Sequence, residues 1–202
     1  MSKHIYSYLA LGDSYTIGDQ VALHESFPYQ TIQKLRQKGH LFYAPETIAK
    51  TGWTTFELAE HLIHTIQLEK YDFVSLLIGV NNQYRGLSIE EFKKEFEFLL
   101  KKALHFTDNK SNKVFVLSIP DWGVTPFAKD RNEKLIAQEI DSFNIAKKEI
   151  SELYQVRFIE ITTSTRNAKN DTSLLANDLL HYSDKEYGKW ATLLANAIEE
   201  SL

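Results

Sequence analysis

Three short polar motifs in this 202-residue chain carry residue types that can do chemistry. The first is Gly12-Asp13-Ser14-Tyr15. A serine hydroxyl is a weak nucleophile until a neighbouring base takes its proton. The second is Gly79-Val80-Asn81-Asn82, where an asparagine amide can donate to a developing oxyanion. The third is Asp178-Leu179-Leu180-His181. That spacing lets one turn bring a carboxylate to an imidazole, fix its tautomer and stabilise the imidazolium. Each motif alone also reads as something plainer: a capped turn, an Asn-rich turn, or a surface Asp with a His beside a helix start. Together they supply a nucleophile, an oxyanion donor, a base and an orienting acid.

Whether they meet depends on the elements that carry them. Residues 6–11 form a short apolar strand ending at Gly12. Residues 72–78 (DFVSLLI) are continuously apolar, as in a parallel strand buried on both faces. Residues 114–119, stopped by Pro120, and 156–161 read as strands too, and 41–43 as a further short one. Helical spacing covers 28–38, closed by Gly39, then 54–68 and 135–153. Ser88 with Glu91, and Ser183 with Glu186, have capping-box spacing and open two more helices. Residues 162–177 read as a polar surface loop. Alternating strands and helices predict an α/β fold with a parallel sheet covered on both faces, in one domain over 1–202. Ligands of such sheets bind beyond the carboxyl ends of the strands. The first two motifs directly follow strands, and the third directly precedes the last helix.

Four blocks in order carry a family resemblance: LALGDSYTIG, IAKTGWTT, LLIGVNNQYRG and NDLLHYSDKEYGKWA, running from residue 9 to residue 191. The chain resembles the GDSL, or SGNH, hydrolase superfamily. The resemblance implies a flavodoxin-like three-layer α/β/α sandwich and cleavage of a carboxylic ester in a small-molecule substrate. It implies that Ser14 is the nucleophile, His181 the base and then the acid, and Asp178 the residue that orients His181. The oxyanion hole would be the Ser14 and Gly52 backbone N–H groups with the Asn81 side chain, and Asp13 would brace the nucleophile turn. No metal and no organic cofactor is implied. Two positions depart from the family pattern: Asn82 stands where an acid is common, and Tyr182 where Pro often follows the His. Trp53, Tyr84, Arg85, Trp122, Phe127 and Tyr182 follow motifs or strand ends and read either as pocket lining or as packing. Arg85 reads as a partner for an anionic leaving group or as a solvated loop residue. Short loops favour an open site and short or soluble acyl groups. Lysophospholipid esters, thioesters and sugar acetates stay open as substrates. Acyl transfer by the same residues, and a non-catalytic ligand-binding module, are the alternatives.

Composition removes other classes. Lys plus Arg is 23 against 27 Asp plus Glu, a net charge of −4, which argues against nucleic acid and anionic lipid as partners. The absence of Cys excludes disulfides, thiolate nucleophiles and Cys-ligated metals. No apolar run approaches the ~20 residues of a membrane span. The start carries no secretory signal pattern, so the chain reads as cytoplasmic. A secreted protein stripped of its signal would read the same. His61 and His64 sit three apart on a predicted helix, but no third ligand is evident, so they read as a surface pair. The oligomeric state is not legible.

Overall fold

A computed structural model gives the fold and describes residues 4–64 and 70–202. The strands are β1 (Tyr8–Gly12), β2 (Glu46–Ala49), β3 (Phe73–Leu77), β4 (Val114–Leu117) and β5 (Arg157–Ile159). They form one parallel sheet in the order β2-β1-β3-β4-β5. This is the flavodoxin-like doubly wound order, in which the chain changes direction across the sheet between β1 and β3. Every residue of β1, β3 and β4 is buried, which is why their sequences are almost continuously apolar, Ser75 being the exception.

The helices are α1 (Ser14–Ile17), α2 (Phe27–Gln37), α3 (Thr55–His64), α4 (Val80–Tyr84), α5 (Ile89–Phe106), α6 (Glu133–Leu153), α7 (Thr162–Thr165) and α8 (Asp184–Glu199). α2 and α8 pack on each other over one face, and α3, α5 and α6 pack in sequence over the other. The three layers are those the resemblance implies. The polar residues in and just after the strands are satisfied inside them. Tyr8 and Ser75 share a hydrogen bond of 2.7 Å between β1 and β3. Ser118 Oγ accepts from the Ile161 and Thr162 N–H groups at 2.8 and 3.1 Å. No helix among the described residues is long and apolar enough to cross a membrane.

Four local expectations are corrected. Residues 41–43 are not a strand, since Phe42 makes only an isolated bridge with Tyr6. The second strand is β2, an edge strand with one fully buried residue, so no apolar run announces it. Residues 162–177 are not a loop but α7 followed by two 3-10 turns, with Thr162, Thr165, Ala168, Leu174, Leu175 and Ala176 buried. Their polar groups are paired locally, as when Thr165 Oγ1 donates to Thr162 O at 2.6 Å. The capping box at Ser183 does not form. Ser183 Oγ donates to Ser173 O, and the buried Glu186 accepts from Trp190 Nε1 at 3.0 Å instead. At Ser88 half the box is made: its Oγ accepts from Glu91 N–H at 3.5 Å. The Asn81 segment is the short helix α4 rather than a bare turn. The end of the helix predicted over 54–68 lies outside the described residues.

Candidate active site

Three neighbouring strands deliver the site: β1 leads to Ser14, β2 to Gly52 and β3 to Asn81. Ser14 opens α1 directly after β1, with Asp13 as its N-cap. Asp13 Oδ1 accepts from Tyr15 N–H at 3.1 Å. A side chain at Gly12 would put its Cβ 2.1 Å from Thr16 Oγ1 and 2.3 Å from Leu77 O. Only glycine therefore lets α1 fold back so closely over the strand ends.

The Asp178–His181 pair arises from a tight turn before α8. Leu179 takes a φ of +57°, which curls the backbone over the Asp178 side chain. Asp178 Oδ1 accepts from Leu180 and His181 N–H at 3.1 and 3.0 Å, and its Oδ2 lies 2.5 Å from His181 Nδ1. Burial alone would raise the Asp178 carboxyl. The His181 hydrogen bond and the two N–H groups outweigh it and hold the group below its ordinary value. With Nδ1 engaged, His181 Nε2 lies 4.0 Å from Asp19 Oδ2, and Asp19 also accepts from Thr51 Oγ1 at 2.5 Å. Among the described residues no hydrogen bond joins Ser14 Oγ to His181. Unliganded sites often hold such contacts long until substrate tightens them.

Gly52 adopts a φ of +82°, and a Cβ there would meet nothing closer than Arg85 Nη2 at 3.7 Å. Backbone conformation, not space, is what calls for glycine. Asn81 Nδ2 donates to Trp53 O at 2.9 Å, which uses one of its two amide hydrogens. Asn82 is buried, accepts from Thr55 N–H at 3.0 Å and donates to Thr55 Oγ1 at 2.7 Å.

Ser14, Gly52, Asn81 and His181 line one cavity of about 180 Å³. Its apolar walls are Val80, Tyr84, Trp122, Phe127 and Leu180. The Tyr84 and Phe127 rings lie 5.2 and 6.1 Å from Trp122, centroid to centroid, and Trp122 Nε1 is fixed by Gln83 Oε1 at 2.7 Å. Of the candidate pocket residues, Tyr84, Trp122 and Phe127 line this cavity, while Trp53, Arg85 and Tyr182 do not. Trp53 packs on His61 at 4.8 Å. Tyr182 is fully buried, and its hydroxyl donates to Asp121 O at 2.9 Å, an anchoring role where the family often has Pro. Tyr15, Thr51, Val80 and Leu180 are lining residues that sequence reasoning missed, although each adjoins or lies within a motif. Asp19 was also missed, and no local pattern marks it. Among the described residues no group of three or more His, Asp or Glu could hold a metal ion. His64 instead faces Glu60 at 3.8 Å.

Beneath the site two buried ionisable groups approach each other's range. Among the described residues Asp13 Oδ2 has no hydrogen-bond partner, and burial pushes the carboxyl up to about 7. Lys147 on α6 donates to Ile78 O and Leu117 O at 3.0 and 2.7 Å, and burial pushes its ammonium down to about 7. The unfolded Asp13 carboxyl ionises near 3.8, so between that pH and about 7 the folded chain holds an extra proton. Stability attached to Asp13 is therefore full at low pH and is lost as pH rises through that window. Asp13→Asn keeps an oxygen for Tyr15 N–H and cannot ionise. Urea unfolding should show the variant gaining on the parent protein from pH 4 to pH 7, by up to ~1.4 kcal/mol for each pH unit of the window. A difference that stays constant with pH would refute the assignment.

Residues 10–189 match the model of the GDSL-like lipase/acylhydrolase family. The chain belongs to this family. Comparison with curated protein sequences gives no match. Among solved structures, this GDSL-like protein is similar to a lipase from a goat rumen metagenome, with TM-score 0.77 and 21% identity over 95% of this chain and 97% of the other. It is similar to a lipase/acylhydrolase from Enterococcus faecalis, with TM-score 0.73 and 20% identity over 96% of each chain. It also resembles an acetylxylan esterase from Geobacillus stearothermophilus, with TM-score 0.72 and 16% identity over 97% and 93%. At these identities the structural likeness speaks for the fold, while the family model carries the membership.

Proposed function

We propose that this GDSL-like protein hydrolyses carboxylic esters through an acyl-Ser14 intermediate. The observation that carries the reading is that His181, held by Asp178, lines the same cavity as Ser14, Gly52 and Asn81. In the first half-reaction Ser14 Oγ attacks the acyl carbon and its proton passes to His181 Nε2. The oxyanion is met by the Ser14 and Gly52 N–H groups and by the Asn81 amide hydrogen not spent on Trp53. The tetrahedral adduct collapses, the ester C–O bond breaks, and His181 returns the proton to the departing alcohol. Water then attacks the acyl-enzyme, gives a proton to His181, and the acid leaves as Ser14 regains its hydrogen. Asp178 stabilises the imidazolium in both halves without taking the proton.

Cavity size and lining narrow the substrate. At about 180 Å³ the space is comparable to a cavity of roughly 150 Å³ that accepts benzene. Its walls are mainly aromatic and aliphatic, which suits a short, compact acyl group rather than a long chain. An acetyl ester, the kind of ester named for the acetylxylan esterase that shares the fold, is within this range. The test is kcat/KM on p-nitrophenyl acetate, butyrate and octanoate. Acetate and butyrate should exceed octanoate by about tenfold or more, because the extra methylenes overfill a cavity sized for a short acyl group, a strain of about 1–3 kcal/mol. A profile that rises through octanoate would overturn the short-acyl assignment. Failure to turn over any of the three would count against the hydrolase reading itself.

A further inference from the structure

The loop that carries Gly52 is held by side chains at four successive residues. Arg85 Nη2 donates to Gly52 O at 2.5 Å, and Asn81 Nδ2 to Trp53 O at 2.9 Å. Glu57 Oε2 accepts from Thr54 N–H at 2.7 Å, and Asn82 Oδ1 from Thr55 N–H at 3.0 Å. Asn81 and Asn82 lie on α4, and Arg85 is its C-cap. One short helix thus presents an oxyanion donor of its own and grips the loop that presents another. Glu57 closes the arrangement: its Oε1 accepts from Arg85 Nη1 at 3.2 Å, while Oε2 also accepts from Thr54 Oγ1 at 2.8 Å.

The need for a grip follows from Gly52 itself. Glycine at a φ of +82° is the most permissive backbone in the loop, yet oxyanion stabilisation requires an N–H fixed in advance. We propose that Arg85 is a positioning residue that locks the Gly52 backbone through its carbonyl and so sets the spacing between the Gly52 N–H and the Asn81 amide. The proposal rests on the hydrolase reading above. It also decides between the two roles the sequence left open for Arg85. The guanidinium lies outside the cavity lining and both arms of its fork are occupied, so it is not placed to bind an anionic leaving group. A planar fork can hold a carbonyl and a carboxylate together, whereas a lysine ammonium offers one compact charge.

Arg85→Ala and Arg85→Lys test this on a neutral p-nitrophenyl ester. The Arg85–Glu57 pair is partly exposed, at 44% and 37%, so its loss should leave the fold intact. Arg85→Ala should lower kcat about 10- to 100-fold with KM within about threefold, less than the full loss of an oxyanion donor. Arg85→Lys should recover part of kcat. Amide hydrogen exchange over residues 50–55 should speed up in Arg85→Ala and less so in Arg85→Lys, a readout that needs no turnover. Unchanged kcat, or unchanged exchange across that loop, overturns the proposal. A KM increase confined to anionic esters, with kcat kept, overturns it in favour of anion binding. Ser14→Ala is run alongside. If ester turnover survives in it, Ser14 is not the nucleophile and the acyl-Ser14 reading fails, and the exchange measurement still decides whether Arg85 holds the loop.

Discussion

Ser14→Ala should abolish ester hydrolysis, with kcat falling on the order of 10⁴- to 10⁶-fold, while the protein stays folded. The two halves of that expectation have separate grounds. Ser14 Oγ makes no hydrogen bond within the described structure, and the residue is 5% exposed, so removing one oxygen leaves no partner unpaired. Asp13 still caps α1 through Tyr15 N–H, and the fold back over Gly12 is untouched. The proposed chemistry, in contrast, loses the atom that would form the acyl bond. The check is turnover of p-nitrophenyl acetate, a thermal melt, and intact mass after a fluorophosphonate probe. The unmodified protein should gain one phosphonyl group on Ser14, and the variant none. A variant that keeps its turnover, or labels elsewhere with equal speed, would show that another group is the nucleophile.

Asp178→Asn should cost about 10⁴-fold in kcat at neutral pH, with little change in fold. The hydrogen-bond pattern dictates this outcome. Oδ1 accepts from two backbone N–H groups, so the asparagine oxygen is kept at that position. The amide nitrogen is then forced against His181 Nδ1, where Oδ2 now sits at 2.5 Å. A donor there favours the tautomer with its proton on Nε2, which cannot accept the proton of Ser14. Steady-state kcat and KM on the same ester read the result. A loss of less than about tenfold would mean that Asp178 neither sets the tautomer nor stabilises the imidazolium. In that case Asp19, 4.0 Å from Nε2, would be the carboxylate to examine.

The parts of the fold legible in the sequence are those buried on both faces. DFVSLLI can hardly be anything but a central strand, and β3 lies within it. β2 escaped because an edge strand with exposed residues has no apolar signature. The Thr162–Thr165 helix escaped because its threonines satisfy one another and Ser118 inside the protein, where composition suggests solvent. The site divides in the same way. Ser14, Asn81, Asp178 and His181 sit in local motifs whose spacing carries the chemistry, and Gly52 came with the block resemblance. Arg85, Trp53 and Tyr182 could be placed near the motifs but not given roles. What each touches is decided by elements distant in the chain: Arg85 by the Gly52 loop, Tyr182 by the segment after β4.

The docking of α8 on α2 has a consequence for how activity is born. The proposed nucleophile lies in the first turn after β1, and its base lies just ahead of the final helix. Contacts that close so long a stretch of chain carry a large entropic cost and form late in folding. A growing chain would complete the sheet strands and the proposed oxyanion donors while Ser14 is still without an imidazole. Its hydroxyl would stay chemically silent until α8 is synthesised and seats His181 beside it. Reactivity of Ser14 toward a phosphonylating probe would then report completion of folding rather than formation of the sheet.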